Sequence, residues 1–365
     1  MLVVGGETME LNHIFIVAIR GSASDILVKV GQVPKYRRGG DIVGLQGASP
    51  ITREQMDQWV AEMLPDFLKP IYQETGDVDF AFENQIGTRF RVNVFRQKGV
   101  QGFVARVVDS YVRTIEELQL PLAVSKIAEF KRGIVFVTGT VGSGKSTTLA
   151  AIVEQINETY PYHIITVEDP IEYVYEDRNS IINQREVGRD TRSFQTAVKS
   201  ALRQNPDVLV VGELRDRETM RTALMAAETG ILVMSTLHTM DVVQTMTRIL
   251  SFFPPDDHSV IIAQLSRTLR MCVCQRLLPT RDGKSRVVSA EVMVVNSRIR
   301  EIISKGNQFH EIMEVIKTSQ DYYGMQTFDQ SLLDLYQKKI ISQKVAMANA
   351  SSRSDLASAI RGMSS

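Results

Sequence analysis

A glycine-rich segment between an apolar run and a helical pattern constrains the fold of this chain more than any other feature. Residues 139–146 read GTVGSGKS; the apolar run Ile134–Val137 precedes them, and apolar residues recur at helical spacing from Leu149 to Ile156. Glycines let such a loop curl until successive backbone N–H groups face one phosphate, and the following helix adds the positive end of its dipole. The segment therefore predicts a nucleotide-binding loop between a strand and a helix.

Side-chain chemistry assigns roles within this loop. Lys145 is expected to reach the β- and γ-phosphate oxygens of ATP, and the Ser146 hydroxyl is expected to bind Mg²⁺. The residues predicted to bind ATP are Gly139, Thr140, Val141, Gly142, Ser143, Gly144, Lys145, Ser146 and Thr147.

Apolar runs alternate with helical patterns from about Leu122 to Leu278, as in a parallel sheet covered by helices on both faces. One helix is predicted to follow Asp216 as its N-cap and to end at Gly230. The fold class expected here is α/β. The predicted strands are Ile134–Val137, Ile164–Val167, Val208–Val211 and Ile231–Met234, and two further helices are predicted around residues 149–156 and 194–202.

The preceding part of the chain is predicted to form a smaller α/β domain. Phe90, Val92 and Val94 alternate with polar residues such as Arg91, which is the period of a half-buried strand. Strands are predicted at Asp25–Val30, Asp77–Glu83 and Thr88–Phe95, and one helix at Thr52–Glu74.

After about Ser285 the pattern becomes mostly helical, with amphipathic stretches at Phe309–Lys317 and Thr327–Gln337. The serine-rich end from Ser351 is predicted to be a loosely held tail. Four parts are thus predicted: a first domain at residues 1–108, a linker at 109–121, an ATPase core at 122–284, and a helical subdomain with its tail at 285–365.

Acidic residues follow two of the predicted strands. Glu213 comes directly after an apolar strand and a glycine, and is expected to bind Mg²⁺ through water or to polarise the attacking water. Glu168 begins a cluster with Asp169 and Glu172 and is a candidate general base. An acidic cluster at a strand end can also be a helix cap or a solvated turn, and which glutamate is the base stays open.

Basic residues complete the candidate catalytic set. His238 follows the fourth predicted strand and could sense the γ-phosphate, although a single histidine is often structural. Arg91, Arg96 and Arg106 lie in the first domain and could reach the site of a neighbouring subunit, since arginine usually stabilises charge on a leaving phosphate. Exposed strand arginines are otherwise solvated surface. Arg203, Arg215 and Arg217 lie nearer the predicted sheet, without a clear role.

Composition limits the partners and the cellular locations expected for this chain. Lys plus Arg and Asp plus Glu both number 42, so no net positive charge favours stable nucleic-acid binding. No apolar run approaches the roughly 20 residues that span a bilayer, and no signal-peptide pattern opens the chain, so a cytoplasmic location is expected. Cys272 and Cys274 are predicted to lie on a helix and to point in different directions, which makes a poor disulfide or metal pair.

Several segments beyond the loop resemble the PilT and PilU retraction ATPases and, more loosely, the wider type II and type IV secretion ATPases. They read EDPIEYV at 168–174, NQREVGRDTRSF at 183–194, ALRQNPDVLVVGELRDRETM at 201–220 and STLHT at 235–239. The match extends to GTRFRVNVF at 87–95 and GMQTFDQSLLDLY at 324–336, and so covers nearly the whole chain.

This resemblance implies a PAS-like first domain, a RecA-like second domain, and a homohexameric ring with ATP between the two domains. It implies that Glu168 is the acidic-box residue and candidate base, that Glu213 is the Walker B acid, and that His238 is the second histidine of the His box. Arg91 and Arg106 align with family arginines that approach phosphates across the ring. By the same match, Lys145 and Ser146 are the nucleotide and magnesium contacts.

The implied function is ATP-driven retraction of a type IV pilus by domain rotation, at the inner membrane and acting on a platform protein. Two alternatives stay open: an accessory PilU-like ring that works beside a paralogous PilT motor, and a type II secretion or DNA-uptake ATPase. One departure from the family pattern stands out, because Thr229-Gly230 is followed by Ile231 where the family usually has the first histidine of its His box.

Overall fold

The structure is a computed structural model that describes residues 10–39, 41–108 and 111–362. The first two residues of the predicted linker, 109 and 110, and the end of the predicted tail, 363–365, lie outside the described residues. The chain divides into two compact units, Met1–Tyr111 and Val112–Ser365.

The first unit contains a six-stranded antiparallel sheet with the strand order β3-β2-β1-β6-β5-β4. In β5 the side chains of Phe90, Val92 and Val94 are fully buried and alternate with exposed Arg91, as predicted. The elements are α1 Leu11–Arg20, β1 Asp25–Lys29, β2 Lys35–Arg38, β3 Asp41–Gly44, α2 Arg53–Met63, α3 Lys69–Thr75, β4 Asp77–Glu83, β5 Arg89–Gln97 and β6 Val100–Val107.

The single helix predicted over Thr52–Glu74 is wrong, because the segment forms α2, a short 3-10 turn and α3. Thr52 caps α2 through its hydroxyl, which accepts the Gln55 N–H at 3.2 Å. Leu64 then takes an extended conformation with ψ 116°, since the ring of Pro65 disfavours helical geometry in the residue before it. The proline therefore divides the predicted helix.

The second unit contains a seven-stranded sheet with the order β13-β12-β7-β11-β10-β8-β9. All neighbouring strands run parallel except the β12–β13 pair. The two sheets confirm the predicted α/β class. The strands are β7 Gly133–Gly139, β8 His163–Glu168, β9 Ile181–Glu186, β10 Val208–Val211, β11 Leu232–Leu237, β12 Leu269–Pro279 and β13 Arg286–Val294.

Helices cover both faces of this second sheet. Along β7, Ile134 and Phe136 face one hydrophobic core, whereas Val135 and Val137 face another. The helices are α4 Leu122–Ser125, α5 Lys145–Thr159, α6 Phe194–Ala201, α7 Arg217–Glu228, α8 Val242–Ser251, α9 His258–Thr268, α10 Ser297–Lys305, α11 Glu311–Thr318, α12 Gln320–Tyr323, α13 Phe328–Gln337, α14 Gln343–Asn349 and α15 Arg353–Gly362. Among the described residues, no helix combines the length and the apolar composition needed to cross a membrane.

The cysteines do not lie on a helix. Cys272 and Cys274 are both on strand β12, where residues two apart point to the same side, and their Sγ atoms are 3.8 Å apart. Both are buried free thiols in the core of the second unit. The prediction that they point in different directions is therefore wrong.

Two predictions for the C-terminal part of the chain are also wrong. The stretch directly after Ser285 is strand β13, which pairs with β12 from Met271↔Val294 to Pro279↔Arg286, so the proposed boundary at 284/285 falls inside a hairpin. The serine-rich end is not a loose tail within its described part, because α15 buries Leu356 and Ile360 in a small core with α13 and α14.

Candidate active site

The loop after β7 has a backbone that only glycine adopts without strain. Gly139, Gly142 and Gly144 have φ of 148°, 77° and 93°. A Cβ at Gly139 would lie 2.4 Å from Ser143 Oγ and 2.5 Å from the carbonyl oxygen of Gln275 on β12. The end of β7 therefore depends on glycine both for its torsion angles and for the close approach of β12.

Lys145 is buried at the centre of this loop, at the first position of α5. Its Nζ donates hydrogen bonds to the carbonyl oxygens of Gly139 and Thr140, both at 3.0 Å. Burial lowers the pKa of the ammonium, while the carboxylates of Glu213 and Glu172 act in the opposite direction. Carbonyl oxygens hold this cation weakly compared with anionic oxygens, so phosphate oxygens can replace them.

A buried hydroxyl in the loop fits a polar ligand. Within the described residues, the Oγ of Ser143 finds no hydrogen-bond partner. Ser146 and Thr147 are half-buried in the first turn of α5, and Thr147 Oγ1 lies 3.0 Å from the Tyr173 hydroxyl. Buried polar atoms without partners are costly, and a triphosphate can satisfy them together with the loop N–H groups.

The strand order brings the other candidates to the same edge of the sheet. The parallel strands β7, β11, β10 and β8 are consecutive neighbours, so their carboxyl ends meet there. The loop follows β7, His238 follows β11, Glu213 comes shortly after β10, and Glu168 ends β8. These four features, which are up to about 100 residues apart in sequence, therefore lie side by side at one edge of the sheet.

Glu213 joins two basic residues. Its carboxylate forms an ion pair with Arg215, and its Oε2 lies 3.5 Å from the Nε2 of His238. The carboxylate is mostly buried, with 17% of its side chain exposed, whereas 52% of the His238 side chain is exposed. The hydrogen bond from Arg215 to Glu213 raises the pKa of the guanidinium further. Arg215 and His238 therefore hold the Glu213 carboxylate in place beside the loop.

Glu168 is held at the end of β8 by neighbours on two strands. Its Oε1 accepts hydrogen bonds from Thr166 Oγ1 at 2.6 Å and from Gln184 Nε2 at 3.1 Å. Burial raises the pKa of this carboxyl, while the bonds from Thr166 and Gln184 lower it, and burial dominates. A carboxylate with a raised pKa accepts a proton more readily, which suits a general base.

Two of the three arginines predicted in the first unit share one face of their sheet, whereas Arg96 lies on the other face of β5, over the Tyr72 ring, so its predicted place beside them is wrong. Arg91 and Arg106 are register partners on β5 and β6 and are both exposed. Arg106 Nε donates to Asp25 Oδ1 at 2.9 Å, and Arg91 Nε lies 3.8 Å from Asp79. Their predicted polar environment is thus present, and their role toward phosphate stays a prediction.

Sequence reasoning missed several residues at this edge. Thr166 lies two residues before Glu168 on the same strand face, and that spacing could have identified it. Gln184 lies on β9, whose pairing with β8 is a tertiary feature without a local signal. Tyr173 and Arg215 lie within the motifs, but their contacts have no signal in the sequence. Ile231, at the His-box position, is half-buried against the apolar core and offers no group to a ligand.

The donor set fits magnesium held together with phosphate. Among the described residues, no cluster of three or more His, Cys, Asp or Glu side chains could hold a metal ion alone. Magnesium commonly takes one or two protein oxygens and completes its shell with phosphate and water. The Ser146 hydroxyl and the Glu213 carboxylate are oxygen donors of that kind.

Comparisons with known proteins identify the family of the chain. The family model "Type II/IV secretion system protein" matches residues 85–345. A twitching motility protein of Neisseria gonorrhoeae is 44% identical over 317 residues, which cover 87% of this chain and 84% of that protein. The type IV pilus ATPase PilU of Pseudomonas aeruginosa is 38% identical over 348 residues, covering 95% and 90%. A crystal structure of the pilus retraction motor PilT with bound ADP matches with a TM-score of 0.88 at 38% identity, covering 95% and 99%.

A RecA-like sheet, a glycine-rich loop with a buried lysine, and two carboxylates at adjoining strand ends define an ATPase of the phosphate-loop class. Within that class, the chain belongs to the type II/IV secretion system protein family and is of the PilT/PilU type.

Proposed function

We propose that this chain is the Mg²⁺-dependent ATPase of a hexameric motor that retracts type IV pili. The observation that carries the catalytic part is the line of strand ends at one sheet edge: the loop with Lys145, then His238, Glu213 and Glu168. ATP is the substrate.

The loop residues bind the triphosphate. Backbone N–H groups of the loop and the N-terminus of α5 face the phosphates, and Lys145 exchanges its carbonyl partners for phosphate oxygens. Ser146, and Glu213 directly or through water, would hold Mg²⁺, which would supply positive charge to the phosphates. The Ser143 hydroxyl gains an acceptor when the triphosphate binds.

Glu168 accepts a proton from the attacking water, and its raised pKa favours this transfer. The contacts of Glu213 with Arg215 and His238 fix its carboxylate on the neighbouring strand, where it can orient the same water. His238, half-exposed between the loop and Glu213, is placed to respond to the γ-phosphate.

The proposed ring supplies a second cation to the site. Charge on the leaving phosphate needs a cation beyond Lys145. Arg91 and Arg106 are exposed on one sheet face, and in a homohexamer they can exchange Asp79 and Asp25 for the phosphate of a neighbouring subunit. Hydrolysis then changes the rotation of one unit relative to the other.

The proposal that the cargo is a pilus rests on the names of similar proteins. The names of three similar proteins refer to twitching motility, a type IV pilus ATPase and a pilus retraction motor. For this chain we propose a cytoplasmic location at the inner-membrane base of the pilus, where it turns a platform protein.

An accessory role is the second candidate. The chain is 38% identical both to PilU and to the retraction ATPase PilT of the same bacterium, so identity does not separate the two roles. In the accessory role this ring works beside a paralogous PilT motor, and its own hydrolysis is dispensable for retraction.

Hydrolysis and assembly are tested together by measuring ATPase activity and particle mass for wild type, Glu213→Ala and the control Glu218→Ala. Glu218 is exposed on the neighbouring helix α7. The proposal predicts activity in a six-fold particle, a loss of at least about 100-fold in Glu213→Ala, and none in the control. Full activity in a monomer would contradict the ring, and full activity of Glu213→Ala would contradict the site.

Cargo and role are tested in cells. Deletion of the gene is expected to leave pili that extend but do not withdraw. Retraction restored by wild type but not by Lys145→Ala supports the motor role. Full retraction with Lys145→Ala beside a PilT paralogue would favour the accessory ring, and normal pili with defective secretion or DNA uptake would favour another cargo.

A further inference from the structure

A fully buried carboxylate lies outside the residues assigned so far. Glu291 on β13 is 1% exposed, and its Oε1 accepts the backbone N–H of Val242 at 2.9 Å. Val242 is the first residue of α8, whose first N–H groups have no partner inside the helix. A carboxylate at this end also interacts favourably with the helix dipole.

The helix held in this way is directly connected to the active-site edge. Only His238 to Asp241 separate the end of β11 from the start of α8. Glu291 lies opposite Cys274 of β12, which lies opposite Thr138 of β7, the residue before the phosphate loop. Glu291 therefore joins strand β13, two strands from the loop, to the segment that carries His238.

The two carboxylates that lie near Glu291, Asp241 and Asp329, form hydrogen bonds with other groups. Asp241, the N-cap of α8, accepts the Gln244 N–H at 2.7 Å. Asp329 of α13 accepts the N–H groups of Ser351 and Ser352 at 2.7 and 2.8 Å.

The cation and the thiol nearest to Glu291 are also engaged. Arg276 of β12 donates to the carbonyl oxygen of Asn349 at 2.5 Å and lies 3.8 Å from the centre of the Phe328 ring. Cys274 is buried beside Cys272, and burial raises the pKa of its thiol. The hydrogen bond from the Val242 N–H is thus the contact that fixes the Glu291 carboxylate within the described part of the chain.

We propose that Glu291 is a positioning residue for ATP hydrolysis: by holding the first N–H of α8, it fixes the segment His238–Asp241 beside the phosphate loop. This inference rests on the proposed role of His238. Glu291 does not touch the nucleotide, so it acts on turnover through His238 rather than on binding through the loop.

The hydrogen bond between the Glu291 carboxylate and the Val242 N–H depends on pH near neutrality. Burial raises the pKa of Glu291 to about 7, Asp241 and Asp329 act in the same direction, and the Val242 N–H and Arg276 oppose them. Ionised carboxylates are stronger acceptors than protonated ones, so the anchor tightens as pH rises from 6 to 8. The free energy of unfolding changes in the opposite sense and falls as pH rises from 4.5 to about 7, because the folded state binds more protons than the unfolded state in this range.

Hydrogen exchange tests the anchor without any ATPase assay. In Glu291→Ala, the amides at the start of α8 are expected to exchange about tenfold faster or more, after correction for intrinsic rates, while those at the start of α7 keep their rates. Ser289→Ala is the matched control: Ser289 is buried on the same strand, and its Oγ bonds Ser331 of α13. Unchanged exchange at α8 in Glu291→Ala would overturn the anchor.

Kinetics test the link to turnover. Glu291→Ala is expected to lower kcat about tenfold with KM changed less than about twofold, whereas Ser289→Ala leaves both near wild type. Glu291→Gln keeps an acceptor oxygen, so it should retain kcat at pH 8 but show a smaller rise in kcat between pH 6 and 8 than the wild type, because any contribution of Glu168 to that rise is the same in both. If Glu291→Ala does not fold, this pH profile still decides.

Two outcomes separate the inference from the function on which it rests. A rise in kcat between pH 6 and 8 that is equal in the wild type and in Glu291→Gln, or faster exchange at α8 with normal kcat, would overturn the positioning role. Absence of ATPase activity in the wild type, with the expected exchange effects still present, would instead overturn the proposed function of the site and with it the catalytic meaning of the anchor.

Discussion

Gly139 is the residue whose replacement the local geometry tolerates least. Its φ of 148° and the contacts of 2.4 and 2.5 Å that a Cβ would make exclude a side chain. We expect Gly139→Ala to lower the free energy of unfolding by about 3 kcal/mol and to abolish nucleotide binding. Denaturant unfolding and titration with ATP measure the two effects.

Gly283 supplies the control for this prediction. It lies in the turn between β12 and β13 with a positive φ of 69°, and a Cβ placed there would meet no atom within 4 Å. Gly283→Ala should therefore cost only the backbone strain of about 1 kcal/mol and leave ATP binding intact. Equal costs at the two positions would contradict the packing argument.

Glu168 and Glu172 test the assignment of the base. Glu168→Gln should reduce kcat by about 100-fold to 10,000-fold while ATP still binds, because the amide cannot accept the proton. Glu172 is exposed four residues later, and Glu172→Gln should retain turnover. Single-turnover hydrolysis and ATP titration separate the two steps; loss of binding in Glu168→Gln would indicate a different role.

The same carboxyl predicts an acid limb in the wild-type pH profile. Since burial raises the pKa of Glu168, the active carboxylate is lost at a higher pH than for an exposed glutamate. The kcat should fall as pH decreases through that raised pKa. A profile that stays flat down to the ordinary pKa of 4.5 would contradict the assignment.

At the scale of elements, a pair of hydroxyls links the acidic segment to helix α5. Tyr173 OH and Thr147 Oγ1 are 3.0 Å apart, so the segment after β8 is tied to the first turn that carries Ser146. Tyr173→Phe and Thr147→Val should each lower kcat several-fold, and the double variant no further. A double-mutant cycle is expected to give a coupling of about 1 kcal/mol, and additive effects would contradict the link.

Helix α15 is predicted to contribute to folding. Leu356 is 2% exposed in the small core formed with α13 and α14. Leu356→Ala should lower the free energy of unfolding by about 2 to 3 kcal/mol, whereas Ser358→Ala on the exposed side should change it by less than about 0.5 kcal/mol. Thermal unfolding measures both; equal, small effects would restore the loose tail that the sequence indicates.

These elements differ in how far sequence can predict them. Strands β7, β8, β10 and β11 are short apolar runs with turn or polar residues at their ends, and the sequence predicts all four. Strand β12 follows α9 directly at Leu269, without glycine or proline between them, and is buried on both faces. A continuous apolar run has neither strand nor helix periodicity, which explains why a helix is the wrong prediction for its cysteines.

The candidate site is predictable to a similar extent. The loop, Glu168, Glu213 and His238 each follow a predicted strand, and parallel strands bring such ends together. Gln184 and Glu291 could not be found, because their partners depend on which strands lie at the edges of the sheet. The pairings β8–β9 and β12–β13 are set by packing of the whole unit, not by the local sequence.

In the whole molecule, the proposed motor depends on the separation of its catalytic residues into two units. The second unit contains the loop and both glutamates, whereas the exposed pair Arg91 and Arg106 belongs to the first. In the cycle that we propose, both sets are needed, and this requirement couples hydrolysis to movement between units. Charge balance, with 42 basic and 42 acidic residues, gives no reason to expect nucleic acid as the cargo.

We propose that the loop around Lys145 binds ATP and that the carboxylates at the neighbouring strand ends let water cleave it. The most direct test is calorimetric titration with MgATP and single-turnover hydrolysis on the same preparations of wild type, Lys145→Ala and Glu168→Gln. We predict binding and hydrolysis by wild type, binding without hydrolysis by Glu168→Gln, and neither by Lys145→Ala. Failure of the folded wild-type protein to bind MgATP at millimolar concentration, or undiminished binding by Lys145→Ala, would contradict the account.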